Sequence, residues 1–257
     1  MNNNRFRVVM LCGDRISSII MYNALKSQYD IQCVILEKRP SRIHIISRRI
    51  KNLGLLKVIG QLIFIIFNKL LLILSQKKIR SLMNMYKLSD TYYSKDILYN
   101  VENINGEIVS TLLKKIKPNA VVINGTRIIS RNILSSINVH FLNTHMGITP
   151  KYRGVNGGYW ALANQDHKNC GVTVHLVDKG VDTGGILYQD TINPSHLDNF
   201  NTYQIHQIKK AIPLMKTALN DIKNNKVIVK NSTYPSILWY HPTIIEYFNN
   251  FICKGVK

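Results

Sequence analysis

The chain has 257 residues, 46% of them hydrophobic, and carries 34 Lys and Arg against 14 Asp and Glu, for a formal net charge of +20. That much apolar side chain excludes a disordered polypeptide, and the length suits one medium domain with an appendage or two small ones. The charge favours anionic partners such as phosphates, nucleotides, nucleic acid or anionic lipid.

Residues 6–12 (FRVVMLC) read as a buried strand, Gly13 and Asp14 turn the chain, and 16–28 read as a helix. Residues 31–36 form a second strand, and this strand–helix–strand order predicts a parallel sheet with helices on its faces. A helix is expected over 107–117, a buried strand over 119–124, a helix over 130–137 and a strand over 138–143. After a Gly-rich loop come a helix near 156–164 and two alternating strands, 171–178 and 185–192, joined as a hairpin through 179–184. A long helix over 202–224 and a short strand over 226–230 (KVIVK) follow. No internal repeat or low-complexity linker is present. The N-terminal segment MNNNRFRVVMLCGD reads as the start of a strand and not as a signal peptide. Cys12, Cys33, Cys170 and Cys253 form no C-x-x-C pair and have no zinc-like His spacing, so reduced thiols in a cytoplasmic protein without a metal are expected.

Residues 44–87 stand apart. Their apolar centre is dense, but its longest uncharged run, 58–68, is bounded by Lys57 and Lys69 and is short for a membrane span. Between 38 and 87 there are twelve Lys or Arg and no acidic residue. Two readings stand side by side: a helical insertion packed on the domain or on a second subunit, or an amphipathic helix lying on an anionic membrane surface.

The chemistry concentrates in 121–190. Asn143 and His145 are two apart, so on an extended strand they share a face. Gly147 and Pro150 then end the strand, at the kind of sheet edge where ligands sit in α/β folds. An amide donates to a developing oxyanion and an imidazole handles a proton, the pair of tasks that acyl transfer requires. Asp182, between Gly180 and Gly184, lies in a loop free to approach that strand end and orient the imidazole. Taken singly, each residue is more readily explained as structural.

Together, N-T-H at 143–145, P-K-Y-R-G at 150–154 and G-V-D-T-G-G at 180–185 resemble the folate-dependent formyltransferases, which act on glycinamide ribonucleotide, methionyl-tRNA or sugar nucleotides. The resemblance is good over 118–192, holds in outline over 6–36 and is weak over 44–100. It implies an α/β fold with a Rossmann-like, mostly parallel sheet, a catalytic domain over 1–200 with a basic, apolar helical insertion at 44–90, and a C-terminal helix and extension over 201–257. It also implies Asn143, His145 and Asp182 as the catalytic trio, with 10-formyltetrahydrofolate as formyl donor and no metal. By the same resemblance Arg127, Ile128 and Ile129 line one side of a pterin slot, and Val177, Asp178, Gly180 and Val181 close the other.

The acceptor is read from departures. After the first strand the chain has C-G-D-R-I-S-S in place of a Gly-rich phosphate loop, although Arg15, Ser17 and Ser18 are suited to an anion at a helix start. The segment after the sheet is short for the RNA-binding barrel of the methionyl-tRNA enzymes. A primary amine on an anionic, nucleotide-linked amino sugar is therefore expected, with Lys151, Arg153 and Gly154 as substrate contacts and Tyr234, Trp239 and Tyr240 as candidates to stack on a base. Glycinamide ribonucleotide is the enzymatic alternative, and a non-catalytic folate-binding or membrane-associated scaffold is the alternative of another class. No specific nucleic acid is expected. A homodimer and a peripheral position at the inner membrane surface remain open.

Overall fold

A computed structural model describes residues 6–38 and 42–257, with only the backbone described over 42–45. The chain runs through β1 (Arg7–Gly13), α1 (Ile16–Leu25), β2 (Asp30–Glu37), α2 (Arg42–Leu53), α3 (Leu55–Met85), β3 (Leu98–Val101), α4 (Glu107–Ile116), β4 (Ala120–Asn124) and α5 (Arg131–Leu134). It continues through β5 (His140–His145), β6 (Arg153–Gly154), α6 (Gly157–Ala163), β7 (Gly171–Leu176), β8 (Ile186–Thr191), α7 (Tyr203–Lys223), β9 (Leu238–Trp239) and α8 (Ile244–Lys254). Seven strands form one sheet in the order β3-β2-β1-β4-β5-β7-β8. The first five are mutually parallel, and β7 pairs antiparallel with both β5 and β8. The Rossmann-like, mostly parallel sheet expected from the sequence is present.

Central strands of such a sheet are covered on both faces, so they read as continuous apolar runs. In β1, Val8, Met10 and Cys12 face one core, which α1 and α7 cover with Ile20, Leu25, Met215 and Leu219. Val9 and Leu11 face the other, which α4 and α5 cover with Val109, Leu113 and Ile133. Residues 203–223 thus belong to the main core. Burial pushes the thiols of Cys12, Cys33 and Cys170 up to about 12, so they are inert packing groups.

The insertion is two helices, and the second, α3, is 31 residues long. Lys57 and Lys69 bound the longest uncharged run within 44–87, but they do not interrupt the helix, because lysine is a good helix former and both side chains reach solvent. By length and composition α3 is long enough and apolar enough to cross a membrane. One of its sides, however, is built into the domain. Phe64 is fully buried in a third core with Tyr159, Trp160, Phe200 and Tyr247. Asn199 donates to Ser75 Oγ at 2.9 Å, and Asn201 donates to Asn68 Oδ1 at 2.9 Å. The chain then closes with α8, whose Thr243 and Glu246 form a reciprocal capping box.

Several expected elements differ in detail. The helix expected over 16–28 stops at Leu25, and that over 130–137 is a single turn. KVIVK is not a strand; only Lys230 bridges to Ile186. β3, the two-residue strands β6 and β9, and α8 were not anticipated as regular elements.

Candidate active site

The parallel strand order reverses direction between β1 and β4, and a cleft of about 350 Å³ opens at the carboxyl ends of β4 and β5 beside that point. Close approach of the loops makes its floor. A side chain at Gly13 would place its Cβ 2.1 Å from the Gly125 carbonyl oxygen, so glycine is required there.

Asn143 and His145 stand on the last turn of the pleat of β5, on the same face, as their spacing predicts. Beyond them Gly147 lets the chain double back: a Cβ there would lie 2.4 Å from the Tyr152 carbonyl oxygen and 2.8 Å from His145 Nε2. The return brings the Tyr152 carbonyl to 2.6 Å from His145 Nε2. On the other side of the ring, His145 Nδ1 lies 3.2 Å from Asp182 Oδ2. Both ring nitrogens therefore face acceptors, and a ring carrying both protons donates to each.

Asp182 is the hub. Its residue sits at φ 51°, a left-handed conformation that a short polar side chain tolerates. Oδ2 accepts the Gly154 backbone N–H at 3.0 Å, and Oδ1 accepts Asn143 Nδ2 at 3.3 Å. Burial on its own would raise this carboxyl's pKa. The facing charge of His145, the hydrogen bond and charge of His175 and the Gly154 N–H outweigh burial and hold it well below the usual carboxylate range. The three residues expected to form the trio are thus brought together.

A fourth member, His175, was not singled out from the sequence. It is register-paired with Asn143 on β7 and is buried. Its Nδ1 lies 2.6 Å from the Leu176 carbonyl oxygen, to which it donates, and its Nε2 faces Asn143 Nδ2 at 3.1 Å and Asp182 Oδ1 at 3.6 Å. The signal was present in GVTVHLVD, where His175 shares the strand face of Thr173 and alternates with Val172 and Val174.

The two proposed walls occupy opposite sides of the cleft. Arg127, Ile128, Ile129, Val177, Asp178, Gly180 and Val181 all line it. The Arg127 guanidinium is drawn away from it by Glu37, with Nε 2.5 Å from Oε1, while the Arg127 N–H donates to Glu37 Oε2 at 3.1 Å. Ile128 is half exposed and Ile129 is buried, so Ile129 is chiefly a core residue. Asn105 fixes this loop, donating to the Ile128 carbonyl at 2.9 Å and accepting from Ser130 N at 2.7 Å. Asp178 accepts from Gly180 N and Thr183 Oγ1, which shapes the opposite loop.

Of the expected substrate contacts, only Gly154 lines the cleft. Lys151 is engaged by Asp166 at 2.5 Å. Arg153 donates to the Val181 carbonyl at 2.9 Å, so it braces the loop that carries Asp182. The hydroxyls of Ser17 and Ser18 are taken by Asn124, leaving Arg15 as the cleft-lining cation at the start of α1. Trp239 is stacked between Tyr152 and Trp160, which makes it a packing residue. Two unforeseen polar groups line the cleft. Asn124 Nδ2 is buried without a partner, and His241 accepts from Asn156 Nδ2 at 3.0 Å. Burial, then the charges of Arg49 and Arg15, push the His241 pKa down to about 4.

A family model described as formyl transferase matches residues 68–212, more than half of the chain. The chain belongs to the formyl transferase family. A curated relative, the methionyl-tRNA formyltransferase of Finegoldia magna, is 40% identical over 99 residues, which cover 38% of this chain and 31% of that protein. The match thus spans about a third of the relative's length. Among solved structures, a sugar N-formyltransferase from Shewanella sp. superposes with a TM-score of 0.56 at 17% identity, covering 91% of this chain and 76% of that one. The phosphoribosylglycinamide formyltransferase of Anaplasma phagocytophilum gives 0.58 at 17% identity, covering 91% and 98%. A sugar 3-N-formyltransferase solved with dTDP and 5-N-formyl-THF gives 0.53 at 14% identity, covering 92% and 70%. These structures share the formyltransferase fold.

Proposed function

We propose that this chain moves a formyl group from 10-formyltetrahydrofolate to a primary amine, and that the amine belongs to a nucleotide-linked amino sugar. The observation that carries formyl transfer is the Asp182 hub, which holds Asn143 and His145 side by side at the strand end. The flat end of the folate suits the cleft. Ile128, Val177 and Val181 offer apolar walls, and the unpartnered Asn124 Nδ2 offers a donor.

The neutral amine attacks the formyl carbon, a C–N bond to the acceptor forms and the bond to N10 of the folate breaks. Negative charge gathers on the formyl oxygen in between. Asn143 Nδ2 and a His145 N–H are the donors for it, exchanging their internal partners for that oxygen. The Asp182 carboxylate balances the charged imidazole, and the amine's surplus proton passes through His145 or an ordered water to N10. The Asp182 hub holds both side chains beside the strand end, so each needs only to change its hydrogen-bond partner during the reaction.

Support for a nucleotide-linked sugar comes from the altered turn after β1, where Arg15 stands in place of a glycine-rich anion loop. The free state of all four cysteines supports a cytoplasmic location. The test is turnover with 10-formyltetrahydrofolate against a panel of dTDP- and UDP-linked amino sugars, glycinamide ribonucleotide and methionyl-tRNA. Formylation of an amino sugar is expected. Turnover confined to the ribonucleotide or the tRNA overturns the acceptor, and donor binding with no transfer to any amine overturns the enzyme.

A further inference from the structure

We propose that the exposed apolar face built by α3 and α8 seats this chain on the surface of an anionic membrane. Along α3, Leu56, Ile59, Ile63, Ile66, Leu70 and Ile73 recur at alternating steps of three and four residues. They share one side of the helix, and their exposure runs from 42% at Ile59 to 85% at Leu56. α8 packs beside α3 through Phe67 and Phe248, whose rings are 5.3 Å apart. It widens the face with the exposed side chains of Ile245, Phe251 and Ile252. An apolar surface two helices wide is unusual on a chain that stays in water, and it calls for a cover.

Charge chooses the cover. α3 contains no Asp or Glu, and Lys69, Lys77 and Arg80 are exposed along it. A second copy laid on this face would bring cations against cations with no acidic residue of α3 to meet them. A layer of anionic headgroups meets the cations and its acyl region takes the apolar stripe. The helix lies on the membrane and does not cross it, because its other side, with Phe64, Ser75 and Leu82, is buried in the domain. Phe64 also packs on Phe200, which lines the catalytic cleft, with ring centroids 4.9 Å apart. One layer of side chains therefore separates the lipid-facing helix from the cleft wall. The proposal stands whether or not the formyl acceptor is the one given above.

The test is co-sedimentation of the full chain with vesicles of phosphatidylcholine alone and with one third phosphatidylglycerol. Partitioning is expected to be at least about tenfold higher on the anionic vesicles and to fall in about 0.5 M salt, where charge attraction is screened. The exposed triple variant Ile66→Glu, Leu70→Glu, Leu74→Glu is expected to abolish it with an unchanged far-ultraviolet circular dichroism spectrum. If that variant does not fold, Lys69→Glu with Lys77→Glu and Arg80→Glu serves instead. No binding to anionic vesicles, equal binding to neutral ones, or undiminished binding of the folded variant each overturns the proposal. So does a dimer, seen by light scattering, that the triple variant dissolves while vesicles leave the native chain in solution.

Discussion

The cleft at the end of β5 and the outer face of α3 break the burial rule in opposite directions. At the cleft, Asp182, His145 and His175 are polar groups withdrawn from water. On α3, Leu56, Ile66 and Leu70 are apolar groups left in water. The first departure is repaired inside the molecule, since each buried polar atom of the hub finds a partner. The second has no repair among the described residues, and its proposed partner is a membrane surface. An internally settled departure marks chemistry, whereas an unsettled one marks association.

Substitutions can break this contrast at graded cost. Phe64→Ala, on the buried side of α3, is expected to cost about 3–5 kcal/mol of stability by leaving a cavity, measured by urea unfolding. A loss near zero would mean that α3 is not part of the core. His145→Ala and Asp182→Ala are each expected to lower turnover at least about 100-fold while thermal unfolding remains cooperative. Near-normal turnover in either would remove the hub from the reaction.

A pH scan sharpens the same contrast. The His241 pKa lies at about 4 in the fold, below its ordinary value of 6.5. The unfolded chain therefore binds the extra proton first. Stability is complete above the ordinary value and declines as pH falls towards about 4, by at most about 1.4 kcal/mol per pH unit from this group. His241→Gln should flatten that slope in denaturant titrations, and an unchanged slope would assign it elsewhere. Asp182 acts further down. Its depressed pKa means that its stabilisation is present above the unfolded carboxylate range and is lost only on strong acidification. The smallest effect is expected from Ile66→Ser, on the exposed side of α3, at within about 0.5 kcal/mol of the native stability. A large loss there would show that the face is already covered within the chain.

What the sequence disclosed followed the range of the interactions. Asn143 and His145 share a strand, and their spacing alone assigned them one face. The Gly-flanked loop of Asp182 supplied the third partner. His175 escaped because its tie to Asn143 crosses from β5 to β7, and a cross-strand register is not written in either segment. Lys151 and Arg153 looked like substrate cations because nothing nearby in sequence shows that Asp166 and the Val181 carbonyl engage them. The continuity of α3 was hidden by two lysines that a helix easily accommodates. Its facing was hidden as well, because a helix apolar all round does not declare which side meets the core. β6 and β9, two residues each, are too short to carry any alternation.

β6 and β9 have a consequence in time. Ile237 donates to the Pro150 carbonyl, Val155 donates to that of Trp239, and the Trp239 indole donates to that of Lys151. The turn whose Gly154 N–H grips Asp182 is thus fastened by residues made more than eighty positions later. A ribosome that has completed the seven-stranded sheet still carries a nascent chain whose hub is unfastened. The hub is therefore expected to reach its folded geometry only after residues 237–239 have emerged and docked.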